Sequence, residues 1–364
     1  MAISGDYYRA LVSGERRGVV PALERGGLLL ASLPYGAAVR LRNWLYDRRW
    51  KRSQRVPVPV VSVGNLTLGG TGKTPCVEYV ARFYRQLDLR VAILSRGYGG
   101  GQGINDEAMV LEENLPDVPH YQGADRVALA RIAVEESESE VLVLDDGFQH
   151  RRLARDLDLV LIDATNPWGH GRLFPRGLLR EPPSSLRRAG VVVLTRCDQV
   201  DETQRGRLKE TVARLAPGVP VVETRHRPLE LVNGDQATAV PELLTERSVA
   251  AFCGIGNPEA FRRTLIDLGA DVVAFRTFPD HHAYTRADVE DLRHWASRQA
   301  TDCVVVTTQK DMVKLRLAQL GGRPLWALRI GLHIEAGQEQ LDHKLQAVVR
   351  GRGASTKHWN NARY

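Results

Sequence analysis

Residues 59–74 read PVVSVGNLTLGGTGKT: a valine-rich run, a glycine-dense turn, then Lys73 and Thr74. These residue types at this spacing suit the handling of phosphate. Gly69, Gly70 and Gly72 free the backbone to curl so that successive N–H groups face an anion, and Thr67, Leu68 and Thr71 complete the turn. Lys73 supplies a fixed positive charge for the outer phosphates, and Thr74 a hydroxyl for Mg2+. Val58, Val60, Val61 and Val63 predict a buried strand before the turn. Residues 73–87 predict a helix after it, with the dipole of its N-terminus behind the anion. Pro75 is compatible with a first helical turn, where no backbone donor is lost. The stricter pattern places glycine where Thr67 stands, a single departure. The chain is expected to bind a nucleotide.

A second motif, VLVLDDGFQH at 141–150, is a hydrophobic strand ending in paired acids. Such a strand is the usual partner of a phosphate-cradling loop, because its terminal carboxylate reaches the Mg2+ shell. Asp145 and Asp146 point different ways and are expected to divide the work. Further polar groups punctuate predicted strand ends: Arg96-Gly97-Tyr98, Asp106-Glu107 after a glycine-rich loop at 99–103, Arg126 at a helix start, and Arg180-Glu181 in a loop. Together they offer cations for developing charge and an acid to orient or deprotonate a hydroxyl, the needs of phosphoryl transfer. Phe278-Pro279-Asp280-His281-His282 raises a metal site or, in preference, a histidine tuned by a carboxylate for proton transfer across a cleft between domains. Thr307-Thr308-Gln309-Lys310-Asp311 reads as a helix N-cap with a charged first turn, or as a segment touching substrate.

The elements that must hold these groups alternate. Strands are predicted at 90–95, 141–145, 157–163, 191–195 and 219–223, with a helix at 124–136. This rhythm implies an α/β fold with a parallel sheet of P-loop NTPase type. A polar, turn-rich stretch at 226–247 reads as a linker or hairpin. Beyond it a smaller α/β domain is expected over 248–350, with strands at 249–253, 270–275, 303–307 and 325–330 and helices from Pro258 and Thr285. The expected organisation is thus an N-terminal segment at 1–55, a P-loop domain at 56–225, the linker, the smaller domain, and a frayed tail at 351–364.

Composition is that of a folded soluble protein: 364 residues, 43% hydrophobic and 26% charged. Cys76, Cys197, Cys253 and Cys303 are scattered with no CxxC pair, which excludes a disulfide framework or structural zinc and fits a reducing compartment. A net charge of +7 favours acidic partners without choosing among nucleic acid, anionic lipid and a phosphorylated substrate. The N-terminus chooses. Residues 26–39 carry no charge, Leu41, Trp44, Leu45 and Tyr46 continue an apolar face, and a cluster from Arg40 to Arg55 is basic. The stretch is too short to span a bilayer and is interrupted by Pro34 and Gly36. It lies too deep in the chain for a signal peptide. A helix lying in the interface of an anionic leaflet is expected, in preference to a helical hairpin capping the domain.

VSVGNLTLGGTGKTP, LSRGY, Asp106-Glu107, LDDGFQHRRL, LLREP, FPDHH and TTQKD stand in the order that resembles the tetraacyldisaccharide 4'-kinase family, the kinases of lipid A synthesis. The likeness runs from about Arg40 to Leu332. It implies transfer of the ATP γ-phosphate, with Mg2+, to the 4'-hydroxyl of a tetraacyl glucosamine disaccharide 1-phosphate. The place implied is the cytoplasmic face of the inner membrane, with no nucleic acid and no obligate protein partner. By the resemblance, Lys73 is the loop lysine, and Asp106 and His281 are a catalytic pair. Residues 67–74 hold the nucleotide; Thr74, Asp145, Asp146 and Glu107 attend the metal. Arg96, Arg126, Gln149, Arg180 and Glu181 fall on other site positions. One departure is Asn105-Asp106-Glu107-Ala108, where many relatives read Gly-Asp-Glu-Pro.

Two other classes share parts of this pattern. Partitioning-type ATPases carry GGxGKT but with a lysine before the glycines, where Leu68 stands here. GTPase-like metallochaperones read guanine with Thr-Lys-x-Asp, which Thr195-Arg196-Cys197-Asp198 mimics with arginine for lysine.

Overall fold

The computed structural model describes residues 5–97 and 105–351, with side chains from Tyr7 onward. Tyr98, the glycine-rich loop at 99–103 and the expected tail past Gly351 lie outside the described residues. Two helices come first, α1 (Gly5–Ser13) and α2 (Val19–Asp47). Then follow β1 (Val60–Asn65), α3 (Lys73–Arg85), β2 (Val91–Ser95), α4 (Asp106–Asn114), β3 (His120–Gln122), α5 (Arg126–Glu136), β4 (Val141–Asp145), β5 (Leu157–Asp163), β6 (Val191–Thr195) and α6 (Glu202–Leu215). The remainder is β7 (Val221–Val232), β8 (Thr238–Ala239), β9 (Ser248–Cys253), α7 (Pro258–Asp267), β10 (Asp271–Thr277), α8 (Arg286–Ser297), β11 (Val304–Thr308), α9 (Gln309–Leu315), β12 (Gln319–Leu320), β13 (Arg323–Ala336) and α10 (Gln338–Arg350).

The chain forms two compact units. The larger comprises the described residues of Ala10–Gly97, Asp117–Arg225 and His333–Tyr364. Its strands run β6-β5-β1-β4-β2-β3, all parallel, with the start of β7 on β6. The central strands β1 and β4 are buried along their whole length, as runs of valine and leucine require when helices cover both faces. One core layer joins Leu66, Phe148, Val160, Ile162 and Leu194, and another joins Val60, Ala92, Leu94, Leu142 and Leu144. α10 belongs to this unit, where the Tyr84 hydroxyl donates to the Leu345 carbonyl at 2.9 Å.

The smaller unit comprises the described residues of Met1–Arg9, Tyr98–Pro116 and His226–Leu332. Its parallel strands are ordered β10-β9-β11-β13, over a core that includes Val249, Ala251, Phe261, Leu265 and Val306. α4 is part of this unit because it packs along α9, where Asn114 and Gln309 exchange amide hydrogen bonds.

These units differ from the expected domains. Residues 105–116 leave the expected 56–225 domain, and 333–350 leave the expected 248–350 domain. The expected linker or hairpin at 226–247 is built structure: β7 continues to Val232 and turns at Asn233 into β8, which pairs back on it antiparallel. The cause is long-range packing, which local periodicity does not carry.

α2 also runs further than its sequence suggests, continuing across Pro34. That proline costs a backbone bond but sits on the exposed side, and the next turn is anchored: Gly36 allows Leu173 to approach, and the Tyr35 hydroxyl donates to the Arg180 carbonyl at 2.9 Å. Ser32, Gly36, Val39 and Asn43 are buried, while Leu23, Leu30, Leu33, Leu41 and Trp44 recur at helical spacing on the opposite side and are exposed. No helix among the described residues is long and apolar enough to cross a membrane.

Candidate active site

In the larger unit the phosphate loop leaves β1 and enters α3 through Gly69 and Gly72, whose φ angles of 110° and 84° favour glycine. The chain after β1 pairs with 178–180: Leu68 N–H donates to the Leu178 carbonyl and Arg180 N–H to the Leu66 carbonyl, both at 2.7 Å. This pairing delivers Arg180 to the loop. The Asp-Asp turn follows β4, and Gly64 lets it settle on β1, since a Cβ there would meet Phe148 at 2.6 Å.

The two motifs meet at Asp146. Its Oδ1 accepts from Arg180 Nη1 at 2.7 Å and lies 3.6 Å from Lys73 Nζ. Burial raises the Asp146 pKa, but the charges of Lys73 and Arg180 outweigh it and hold the carboxyl down at about 2. Its φ of 50° places a non-glycine residue in the left-handed region, as site residues sometimes are. Asp145 ends β4 and is buried, as is Thr74 at the start of α3. A hydroxyl and two carboxylates are the hard oxygen donors that suit Mg2+, and two buried amide oxygens beside the loop, Asn65 Oδ1 and Gln149 Oε1, have no donor among the described residues. Gln149 is fixed by donating Nε2–H to the Asn65 carbonyl at 2.9 Å.

Arg126 is buried and donates from Nη1 to His150 Nδ1 at 3.1 Å. An arginine can only donate, so this histidine is neutral at Nδ1. Burial and the neighbouring Arg126 push the His150 pKa down to about 4. Arg96 is exposed at the end of β2 and adds positive charge near Arg126. Glu181 departs from expectation. It is fully buried and accepts from Arg42 at 2.7 Å, Asn43 at 2.8 Å and Arg188 at 2.7 Å, so it anchors α2 instead of facing a ligand.

Three supports of the loop were missed in the sequence. Asn65 Nδ2 spans it, donating to the Thr67 carbonyl at 2.8 Å and to Thr71 Oγ1 at 2.9 Å. Thr195 Oγ1 donates to the Thr71 carbonyl at 3.0 Å. Arg196 donates to the Gly70 carbonyl at 2.7 Å while paired with Asp163. The Thr-Arg-Cys-Asp segment that mimics a guanine reader therefore braces the loop. Its position at a strand end was the available signal.

In the smaller unit, Asp106 opens α4 behind Asn105, whose side chain accepts from Ala108 N–H as the N-cap. Asp106 is buried, and His281 Nδ1 lies 2.8 Å from its Oδ1 and 3.1 Å from its Oδ2. His281 has a φ of 59° and is held by its own N–H on the Gly254 carbonyl. Burial raises the Asp106 pKa, yet the hydrogen bond from His281 and the charges of Lys310, His281 and Lys314 bring it below the ordinary value. The same hydrogen bond raises the His281 pKa, against burial. His282 turns elsewhere, to Asp288 at 3.2 Å, so the two histidines do not share a metal. Glu107 belongs to this unit, and its Oε1 meets Lys310 Nζ at 2.7 Å. Thr308 caps α9, accepting from Asp311 N–H.

A model of the tetraacyldisaccharide-1-P 4'-kinase family, LpxK, matches residues 26–350. The tetraacyldisaccharide 4'-kinase of Anaeromyxobacter dehalogenans (strain 2CP-C) is 44% identical over 352 residues, covering 91% of this chain and 92% of its own. That of Syntrophus aciditrophicus (strain SB) is 40% identical over 344 residues, covering 88% and 91%. A crystal structure of LpxK from Aquifex aeolicus in complex with ATP superposes with a TM-score of 0.72 at 32% identity, over 89% of this chain and 99% of that one.

Proposed function

Because this chain belongs to the tetraacyldisaccharide-1-P 4'-kinase family, we propose that it transfers the γ-phosphoryl group of ATP to the 4'-hydroxyl of a tetraacyl glucosamine disaccharide 1-phosphate, a step of lipid A synthesis. It is a kinase, and the switch and partitioning readings fall away.

A sugar hydroxyl is far too weak an acid to ionise before attack. In a loose transition state the base therefore orients the nucleophile and takes its proton late. We read Asp106 as that base. Its carboxylate stays ionised, and His281 Nδ1–H donates to it and fixes its direction. The new bond joins the acceptor oxygen to the γ-phosphorus, the bond to the β-phosphate oxygen breaks, and the hydroxyl proton passes to Asp106. On the donor side, the loop amides, Lys73, Arg180 and Arg126 offset charge on the phosphates. Mg2+, when held by Thr74, Asp145 and Asp146, neutralises phosphate charge further. The observation that carries the acceptor chemistry is the 2.8 Å contact of His281 with Asp106.

The exposed apolar stripe of α2, with the basic residues that follow, supports a peripheral seat on an anionic membrane surface, the cytoplasmic face of the inner membrane. The lipid's acyl chains would stay in the bilayer while its headgroup is presented.

The test is incubation with labelled ATP, Mg2+ and the tetraacyl disaccharide 1-phosphate, with chromatography of the lipid. Wild type should label the lipid, and Lys73→Ala should not. Asp106→Ala should lose about 10²–10⁴-fold in turnover with KM for ATP little changed. An unlabelled lipid refutes the activity, and an unimpaired Asp106→Ala refutes the base.

A further inference from the structure

Asp106 is not held by histidine alone. Lys314, on α9, is nearly sequestered, its side chain only 4% exposed, and its Nζ lies 3.4 Å from Asp106 Oδ2 and 3.4 Å from Asp311 Oδ1. Asp311 is itself a fixed point. It is fully buried; its Oδ2 accepts from Thr308 Oγ1 at 2.7 Å and from Gly254 N–H at 3.0 Å, and its Oδ1 from the Tyr284 hydroxyl at 3.0 Å. The Lys314 ammonium also lies over the Tyr284 ring, 5.5 Å from its centre. An ammonium pinned on one side to an immobile carboxylate presents its remaining donors in a set direction. That direction is toward Asp106. The two oxygens of Asp106 are thus served from two sides, Oδ1 most closely by His281 Nδ1 and Oδ2 by both Nδ1 and Lys314. Lys310 has another role, pairing with Glu107 at 2.7 Å.

We propose that Lys314 is a positioning residue for phosphoryl transfer: anchored by Asp311, it holds the Asp106 carboxylate in the one orientation that meets both His281 and the acceptor hydroxyl. The inference rests on the reading of Asp106 as the base. A lysine that merely neutralised two buried acids would make the same contacts, but it would be felt in stability and not in turnover.

Full-length Lys314→Met, Lys314→Arg, Asp106→Ala and the Lys314→Met/Asp106→Ala double variant separate these cases, each assayed for kcat, KM and thermal midpoint with ATP, Mg2+ and the tetraacyl disaccharide 1-phosphate. Lys314→Met should lose about 10–100-fold in kcat, the cost of a misplaced reacting group, with KM for ATP unchanged. Lys314→Arg should recover most of that loss. In the Asp106→Ala background Lys314→Met should cost nothing more, because the lysine acts through the acid. If the methionine variant does not fold, Lys314→Gln serves in the same comparison. Wild-type kcat in a folded Lys314→Met overturns the proposal. So does a Lys314→Arg as slow as the methionine variant with an equal drop in midpoint, and so does a double variant in which the two losses multiply. An inactive Asp106→Ala beside an unimpaired Lys314→Met removes only the lysine; an active Asp106→Ala removes the base and the lysine together.

Discussion

Arg180 and Asp146 are joined by a 2.7 Å contact from Nη1 to Oδ1, and that same carboxylate oxygen faces Lys73 Nζ at 3.6 Å. One acid therefore aims two cations. Asp146→Asn keeps the shape but removes the charge that holds them. We expect turnover to fall by about a hundredfold or more, the scale on which a lost preorganised charge acts. Steady-state kinetics would check this, and a variant within a few-fold of wild type would contradict it.

The Asp106–His281 pair predicts a pH dependence of stability. The hydrogen bond that His281 donates to Asp106 raises the His281 pKa, so this contribution is whole below about 6.5 and is lost as pH rises through the higher folded value. The Asp106 pKa is lowered despite burial, so its contribution is present above about 3.9 and is lost as pH falls through the lower folded value. The pair is thus worth most between about pH 4 and 6.5. His281→Gln should lie further below wild type in thermal midpoint at pH 5.5 than at pH 9. An equal gap at both pH values would show that the pair does not couple protonation to folding.

Arg196 ties the Gly70 carbonyl to Asp163 in a nearly buried ion pair. Arg196→Ala should raise KM for ATP roughly tenfold, about 1.4 kcal/mol of lost loop order. Asp163→Asn should resemble it, and the double variant should lose less than the sum, because the two residues act as one brace. Additive losses would disprove a shared role.

Leu30 and Leu33 are 69% and 62% exposed on the outer side of α2, where glutamate costs nothing in packing. Leu30→Glu/Leu33→Glu should co-sediment less with anionic vesicles while retaining the thermal midpoint of wild type. Unchanged sedimentation would exclude this stripe as the membrane-contacting surface.

Local chemistry was readable in the sequence wherever one segment carries the whole signal. The glycine turn before Lys73 and the acids that close β4 announce themselves because backbone freedom, charge and strand pattern lie within a few residues. Glu181 was misread because a loop acid looks alike whether it meets solvent or the Arg42, Asn43 and Arg188 donors it is buried among. Lys314 and Asn65 were invisible for the same reason: their meaning comes from residues distant in the chain or from carbonyls that no composition reveals. The membership of α4 was hidden too, since its short helix has no strong apolar face and its place follows from the Asn114–Gln309 exchange with α9.

That membership bears on how the protein can be dissected. The smaller unit is stitched from separate stretches of chain, so no single cut frees it. A fragment spanning 226–332 would keep His281 and lose the acid it serves, exposing the side of α9 that α4 covers. Engineering of this enzyme by swapping modules between relatives must therefore carry the short insert at 105–116 along with its distant companions, or the graft will arrive without Asp106.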